Sequence, residues 1–228
     1  MTRTAKEFAV KRNEILGVAQ RLVYTKGYEQ MTIQDVLDDL QISKGAFYHY
    51  FRSKQDLLDA IIGHMIEEGE NLILPIIQDP GLNALEKLQR YFDTIARWKN
   101  AQRAHLMAIL RVWYADHNAI VRQKMTAAAI QRISPSFAQI IHQGINEGLF
   151  APNYPDQVSE VVMALLQSMG DTLAQFVLFF DPKSDGFQRI EGSVAAYTDA
   201  VERVLGAPPG SIHFFDVEVL KDWVNLPR

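Results

Sequence analysis

The run from Thr32 to Lys54 holds several side chains that can donate hydrogen bonds to an anion. Lys44 and Lys54 carry ammonium groups and Tyr48 carries a phenol, and such groups commonly donate hydrogen bonds to phosphate oxygens. Ser43 stands where a helix could begin, and the free amides of a helix N-terminus also attract phosphate. The chemistry indicated by this run is therefore recognition of a nucleic-acid backbone.

Helical periodicity separates the roles of these residues. At about 100° per residue, Phe47 and Phe51 share one face and are predicted to point into a small core with Ile42. The opposite face carries small, polar or aromatic residues, flanked by a lysine and a tyrosine: Gly45, Ala46, Tyr48, His49, Lys44 and Tyr50. Because the two smallest residues lack bulk, they would let the helix backbone approach DNA closely.

Two short predicted helices position that face. Thr32 stands at the N-cap of the first, ahead of an apolar set at helical spacing: Ile33, Val36, Leu37 and Leu40. Asp35 favours the positive end of the same helix. After a break, Ser43 can cap the second helix. An earlier helix over 7–26 is predicted to end at Gly27, because glycine accepts the left-handed conformation.

The rest of the chain predicts more helices. A fourth begins at Ser53 and runs to about Asn71, and others follow at 82–100, 101–115, 118–147, 155–180 and 187–205. The Ser134-Pro135 pair is predicted to kink the 118–147 segment or to start a new one. The tail over 206–228 contains PPG and then β-compatible residues, and its structure stays open.

The first 60 residues resemble a known family. MTIQDV at 31–36 and ISKGAFYHYFRSKQDLL at 42–58 follow an apolar helix that ends in GY at 27–28. This pattern resembles the helix-turn-helix of the tetracycline-repressor-like (TetR) family of bacterial transcriptional regulators. Further along, IIHQGINEGLF at 140–150 and VERVLGAPPGS at 201–211 show only a loose resemblance.

The resemblance implies an all-α protein with two domains. An N-terminal three-helix helix-turn-helix domain over 1–53 would bind DNA, and a larger C-terminal helical domain over 54–228 would bind a ligand and dimerise. The family pattern assigns DNA contact to nine residues: Thr32, Ser43, Lys44, Gly45, Ala46, Tyr48, His49, Tyr50 and Lys54. The alternative is that the tyrosines only pack and the lysines are solvated, since three or four side chains of such a helix usually reach bases.

The basic residues near the N-terminus and the C-terminal helices have open roles. Arg3, Lys6, Lys11 and Arg12 could contact phosphates or the minor groove, or form an ordinary solvated terminus.

Flexible and flat apolar residues could line a ligand pocket or pack in the core: Trp98, His105, Met107, Trp113, Tyr114, Met125, Met163, Met169 and Phe176. Asp171 could orient a polar ligand or face solvent.

A stripe of small residues in the last long helix indicates close helix packing. Gly192, Ala196 and Ala200 lie four apart, as expected for a dimer interface built from the last two long helices. A tight contact within one chain is the alternative. A two-fold dimer would present two recognition helices to DNA half-sites.

Composition and charge are consistent with a DNA-binding domain that is joined to a larger domain without DNA contacts. The 228 residues are 48% apolar and carry a net charge of −4. Residues 1–54 hold 9 basic and 6 acidic side chains, and the remainder holds 14 and 21. With no cysteine, disulfides and thiolate metal sites are excluded. The sequence shows no signal peptide and no apolar run near the roughly 18 residues of a membrane span, so we expect a cytoplasmic protein without membrane partners.

Catalytic motifs are not found. The sequence lacks HExxH, P-loop, GxGxxG and GxSxG patterns, so no catalytic residue and no cofactor is expected. His64 with Glu67 and Glu68 has metal-compatible spacing but is better explained as a solvated helix face, while His105 and His117 share no face.

We expect a homodimeric repressor that binds a palindromic operator and is released by a small organic ligand. A family activator, an all-helical enzyme and a structural adaptor are the alternatives.

Overall fold

Helices form the secondary structure of the computed structural model, which describes residues 3–115 and 118–225. Within those residues there is no strand, and the helices in chain order are α1 (Arg3–Lys26), α2 (Ile33–Leu40), α3 (Lys44–Tyr50), α4 (Lys54–Gln78), α5 (Ala84–Ala101), α6 (Arg103–Trp113), α7 (Ala119–Asn146), α8 (Val158–Phe179), α9 (Gly186–Leu205) and α10 (Val219–Val224). His117 and the side chains of Arg3 and His105 lie outside the described part. The all-α prediction is correct.

The chain divides into two compact units. The first unit comprises Met1–Glu67 and Ala108–Ala128, and the second comprises Glu68–Met107 and Ala129–Arg228. The helices α4, α6 and α7 each contribute residues to both units. These units are defined by packing, so the functional boundary after residue 53 stays a prediction.

The first unit is built on an apolar core and one buried polar contact. Its largest fully buried side chains come from α1, α3, α4 and the loops before α2 and after α3: Ile15, Met31, Phe47, Phe51, Leu57 and Leu58. Asn118 is fully buried, accepts a hydrogen bond from the Tyr28 backbone N–H at 2.9 Å and donates one to the Val112 carbonyl at 2.6 Å. This amide joins segments 90 residues apart and provides a hydrogen-bond partner for a buried backbone N–H group.

The second unit buries an aromatic core that the C-terminal tail completes. The Phe214 ring packs edge-on against Phe92 at 4.6 Å, and the short helix α10 packs on α8. The buried Glu202 carboxylate accepts hydrogen bonds from the backbone N–H groups of Gly210 and Ile212, at 3.0 and 2.9 Å. The β-compatible residues of the tail thus lie in an irregular segment held by side chains.

Two helices continue through prolines. The predicted end of α4 near Asn71 is wrong, because the helix runs to Gln78 with Pro75 in its last turn. Ile73 and Ile77 are 3% and 7% exposed, so burial favours the added turns. Pro135 likewise lies inside α7, which stays one helix. A proline costs about 3 kcal/mol within a helix, and core packing offsets that cost here.

Gly206 is a position where the backbone demands glycine. It ends α9 with φ of 62°, and a Cβ placed there would lie 2.3 Å from the Ala151 carbonyl oxygen. We expect Gly206→Ala to lower the free energy of unfolding by about 3 kcal/mol, from left-handed strain plus the clash. Urea denaturation followed by circular dichroism measures the change.

Gly148 supplies a matched control for that measurement. Its φ is 71°, but a Cβ there would meet nothing within 4 Å. Gly148→Ala should therefore cost only the left-handed strain, about 1 kcal/mol. Equal losses in the two variants would show that the approach of Ala151 to Gly206 has no energetic consequence.

Candidate nucleic-acid interface

Reciprocal capping fixes the start of α2. The Thr32 hydroxyl accepts a hydrogen bond from the Asp35 backbone N–H at 3.1 Å, and the Asp35 carboxylate accepts one from the Thr32 N–H at 2.7 Å. The Lys26 ammonium pairs with the same carboxylate at 2.8 Å. The contact with Lys26 and the hydrogen bonds from Thr32 lower the pKa of Asp35 to about 2. The first helix of the motif is thus held to the end of α1.

A tight turn joins α2 to α3. Gln41 adopts a left-handed conformation with φ of 50°, and the Ile42 N–H donates to the Leu37 carbonyl at 3.1 Å. Ser43 then caps α3, since its hydroxyl accepts from the Ala46 N–H at 3.2 Å. The predicted caps at Thr32 and Ser43 are both present. The turn therefore fixes the direction in which α3 leaves α2.

The two faces of α3 are separated as the periodicity predicts. Phe47 and Phe51 are 0% and 1% exposed, and their ring centroids lie 5.9 Å apart. On the outward face four residues are exposed: Lys44, Gly45, Tyr48 and His49. Ala46 and Tyr50 on the same face are half-buried. A Cβ added to Gly45 would meet only the Ser43 hydroxyl, at 4.0 Å. No neighbour in the described chain requires glycine there.

Phe8 of α1 makes an aromatic contact with α3 that the helical periodicity of the sequence does not predict. Phe8 is 38% exposed, and its ring lies 4.7 Å from that of Tyr50 and 5.5 Å from that of His49. The first turns of α1 therefore lie beside the end of α3. The aromatic ring of Phe8 indicates a packing role, but its partners lie about 40 residues later and cannot be predicted from the neighbouring sequence.

Lys54 is engaged within the protein. Its ammonium donates to the Glu29 carbonyl at 3.2 Å and lies 4.3 Å from the centre of the Tyr28 ring. Burial, followed by the charges of Glu29 and Asp59, raises the pKa of Tyr28. A phosphate at Lys54 would have to share the ammonium with these partners, so DNA contact by Lys54 stays a prediction.

The basic side chains of α1 are used in different ways. Lys11 pairs with Glu14 at 2.7 Å, while the Arg12 guanidinium lies 4.9 Å from the centre of the Phe51 ring. Lys6 is exposed. Arg12 therefore supports the buried side of α3, and Lys6 remains available to a phosphate.

The predicted pocket residues divide between the two units. Trp113, Tyr114 and Met125 belong to the first, whereas Trp98, Met107, Met163, Met169, Asp171 and Phe176 belong to the second. Trp98 is exposed (40%), Met107, Met163 and Met169 are buried (5%, 7% and 8%), and the others are half-buried. Met163 lies in the large core of the second unit, and Phe176 packs with two further phenylalanines. Pocket lining by this set stays a prediction.

The small-residue stripe of α9 lies on an open surface. Gly192 and Ala196 are exposed, Ala200 is half-buried, and a Cβ on Gly192 would meet nothing within 4 Å. From residue 161 onward the exposed residues of α8 are uncharged: Val161, Ala164, Ser168, Gln175 and Phe179. In particular, Phe179 is 75% exposed. No contact within the described chain therefore explains the small size of Gly192 and Ala196.

The apolar character of α8 is unusual for an exposed helix. Its most apolar 18-residue stretch has a mean hydropathy of 1.4 and is 28% buried, so length and composition alone would allow it to cross a membrane. Core helices of soluble proteins can be equally long and apolar.

The described residues contain no group of three or more His, Asp or Glu able to hold a metal ion.

Two family models match the chain. The model described as "Bacterial regulatory proteins, tetR family" matches residues 15–61, which include α2 and α3. The model described as "Tetracyclin repressor-like, C-terminal domain" matches residues 111–176. The first match coincides with the capped helix pair described above.

Curated relatives and solved structures agree with these models. The chain is 25% identical to the HTH-type transcriptional repressor KstR2 of Mycobacterium tuberculosis over 157 residues, which cover 67% of this chain and 76% of KstR2. It is 23% identical to the uncharacterized HTH-type transcriptional regulator YfiR of Bacillus subtilis over 209 residues, 87% and 96% of the two chains. A TetR-family regulator from Pectobacterium atrosepticum has the same fold, with a TM-score of 0.58, 19% identity, and coverage of 91% of this chain and 100% of its own.

Proposed function

This chain belongs to the TetR family of bacterial regulatory proteins, and we propose that it is a repressor that binds a palindromic operator as a homodimer and is released by a small organic ligand. It is a DNA-binding transcriptional regulator and not an enzyme. The repressor assignment is supported by its similarity to KstR2. Such a regulator would act in the cytoplasm, where the DNA is.

The open face of α3 carries this proposal. A helix of seven residues, capped at its start and anchored by two buried phenylalanines, presents Lys44, Gly45 and Tyr48 to solvent. In helix-turn-helix proteins the second helix enters the major groove with its N-terminal residues toward base edges. Gly45 would permit close approach, while Lys44 and Tyr48 would contact phosphate or bases.

The uncharged exposed residues of α8 and the small-residue stripe of α9 support a homodimer. Single exposed apolar residues are ordinary, but an uncharged helix face that carries both Val161 and Phe179 is a surface that a protein partner can cover. A second copy of the chain would cover Val161 and Phe179 of α8 and the stripe at Ala196 of α9. The resulting two-fold symmetry would match the symmetry of a palindromic operator.

The proposed switch acts through α4. This helix follows α3 after three residues, and its residues 68–78 belong to the second unit. A ligand that binds better to the released state would displace α4 and change the distance between the two recognition helices of the dimer. A differential affinity of about 3 kcal/mol between the states changes DNA affinity by about a hundredfold.

Replacing side chains on the open face of α3 tests DNA recognition. We expect Tyr48→Ala to weaken operator binding by about tenfold to a hundredfold, as for loss of one specific contact. Lys44→Ala should weaken binding on all sequences and lower the salt slope by about one. Fluorescence anisotropy would be measured on DNA that the wild-type protein selects from a random pool.

The control for these variants is Tyr154→Ala, which removes a tyrosine that is 73% exposed in the second unit. All three variants should keep the far-UV circular dichroism of the wild type. Unchanged affinity in both the Tyr48 and the Lys44 variants would refute the assignment of α3 as the recognition helix.

A further inference from the structure

The break between α5 and α6 holds a guanidinium with an unused donor edge. α5 ends at Ala101 and α6 begins at Arg103, whose Nη1 donates to the Asn100 carbonyl at 3.3 Å. Arg103 Nε and Asn100 Oδ1 are both shielded from solvent, and neither has a hydrogen-bond partner in the described protein. A buried donor and a buried acceptor thus lie on residues three apart without bonding to each other.

This pair differs from the other unpaired buried atoms of the described chain. Those are the hydroxyl oxygens of Ser134 and Ser211, which are neutral. Buried charges are normally paired with an opposite charge. Among the described ion pairs none involves Arg103, whereas Arg132 of the same unit pairs with Glu70. At the α5–α6 junction the shielded Nε of a half-buried guanidinium therefore has no anion supplied by the described chain.

The unused edge has the geometry that a carboxylate requires. Nη1 donates to the Asn100 carbonyl, which leaves Nε and Nη2, and the N–H groups of these two atoms lie side by side along one edge of the planar guanidinium. Two parallel donors of this kind match the two oxygens of a carboxylate. Met107 is four residues further along α6, on the side of Arg103, and is 5% exposed, so apolar surface adjoins the cation.

We propose that the α5–α6 junction binds the carboxylate of a small organic acid, which Arg103 holds through Nε and Nη2 while Asn100 Oδ1 accepts a hydrogen bond from a neighbouring hydroxyl of the ligand. The apolar chain of the acid extends along Met107. This inference rests on the proposed ligand-responsive function, for which it names the chemical class of the effector. It makes Arg103 a binding residue with no need to act in folding.

The test compares three probes on the full-length wild-type protein by thermal denaturation. 2-Hydroxyhexanoate carries the carboxylate, the adjacent hydroxyl and an apolar chain; hexanamide has the chain without the charge; inorganic phosphate has charge without the chain. We expect saturating 2-hydroxyhexanoate to raise the melting midpoint by about 5 °C and the other two probes to leave it unchanged. The same acid should release the wild-type protein from its selected DNA.

The Arg103→Met variant separates binding from structure. Because the guanidinium edge is unpaired in the free protein, an apolar side chain of similar length should leave the melting midpoint of the free protein unchanged or raise it. The variant should show no shift with 2-hydroxyhexanoate and should stay on DNA in its presence. Arg132→Met, which removes an arginine that is already paired with Glu70, should keep the shift.

Several results would overturn the inference. One is a lowered midpoint for free Arg103→Met, which would make Arg103 structural. A second is an unchanged melting midpoint of the wild-type protein in 2-hydroxyhexanoate. A third is an equal rise of the midpoint in the wild-type protein and in Arg103→Met. An equal response to phosphate would assign the edge to any anion. In each case DNA binding by the wild-type protein, measured separately, decides whether the proposed regulator function still stands.

Discussion

The Ala196→Arg variant is expected to sediment as a monomer and to lose about a thousandfold in operator affinity. Ala196 lies on the exposed side of α9, between Gly192 and Ala200. In the proposed dimer a large charged side chain there would separate the helices and be buried without a partner. Two linked recognition helices bind two half-sites with an avidity of about 10² to 10⁴ over a single one, and the monomer loses this gain.

The neighbouring Ala195 provides a matched control for this variant. It is exposed on the same helix, but it points about 100° away from Ala196. Ala195→Arg introduces the same side chain and should remain dimeric with full DNA affinity. Sedimentation velocity and fluorescence anisotropy measure the two properties. A dimeric Ala196→Arg protein would place the interface elsewhere, and a monomer with unchanged affinity would remove the role of the dimer in DNA binding.

A dimer also accounts for the apolar surface of α8 without a membrane. Phe179 and Val161 are 75% and 44% exposed in the single chain. In the proposed dimer the second copy of the chain would cover both side chains. The α8–α9 pair is the most extensively packed helix pair of the described chain, which would give a second copy a firm surface to meet. The apolar composition of α8 is thus better explained by association than by insertion.

The helix-turn-helix could be predicted from the sequence because its determinants are local. Thr32 and Ser43 cap helices that begin at the next residue, and Phe47 and Phe51 share a face by spacing alone. Each of these relations spans four residues or fewer. The family motif adds which of the outward residues meet DNA, and that assignment is still a prediction.

The remaining features depend on contacts between distant residues. Asn118 matches no motif, yet its side chain binds the Tyr28 backbone 90 residues away. Glu202 was predicted only as part of a helix, but its buried carboxylate organises the tail. Pro75 lies inside α4 because tertiary burial outweighs the local preference of proline. These three features depend on tertiary packing, so they cannot be predicted from the periodicity of the sequence.

Enlarging Gly45 is expected to weaken DNA binding while stabilising the helix that carries it. Gly45 is exposed in α3, and a Cβ there meets only the Ser43 hydroxyl at 4.0 Å. Gly45→Ala should stabilise the protein by up to about 1 kcal/mol, because alanine favours helix over glycine. If α3 lies with its backbone against DNA, the added methyl group should weaken binding about tenfold, and Gly45→Leu should weaken it by more than about a thousandfold.

The opposite signs of these two effects make the experiment decisive. A purely structural helix would gain stability from Gly45→Leu and keep any DNA affinity, since leucine is also a good helix former. Gly17 of α1 is the matched control, because it is exposed, helical and free of neighbours within 4 Å of an added Cβ. Gly17→Leu should therefore leave operator affinity unchanged. Urea denaturation gives the stability of each variant and fluorescence anisotropy gives its affinity; full DNA binding by Gly45→Leu would exclude the close approach of α3 to the major groove on which the proposed function rests.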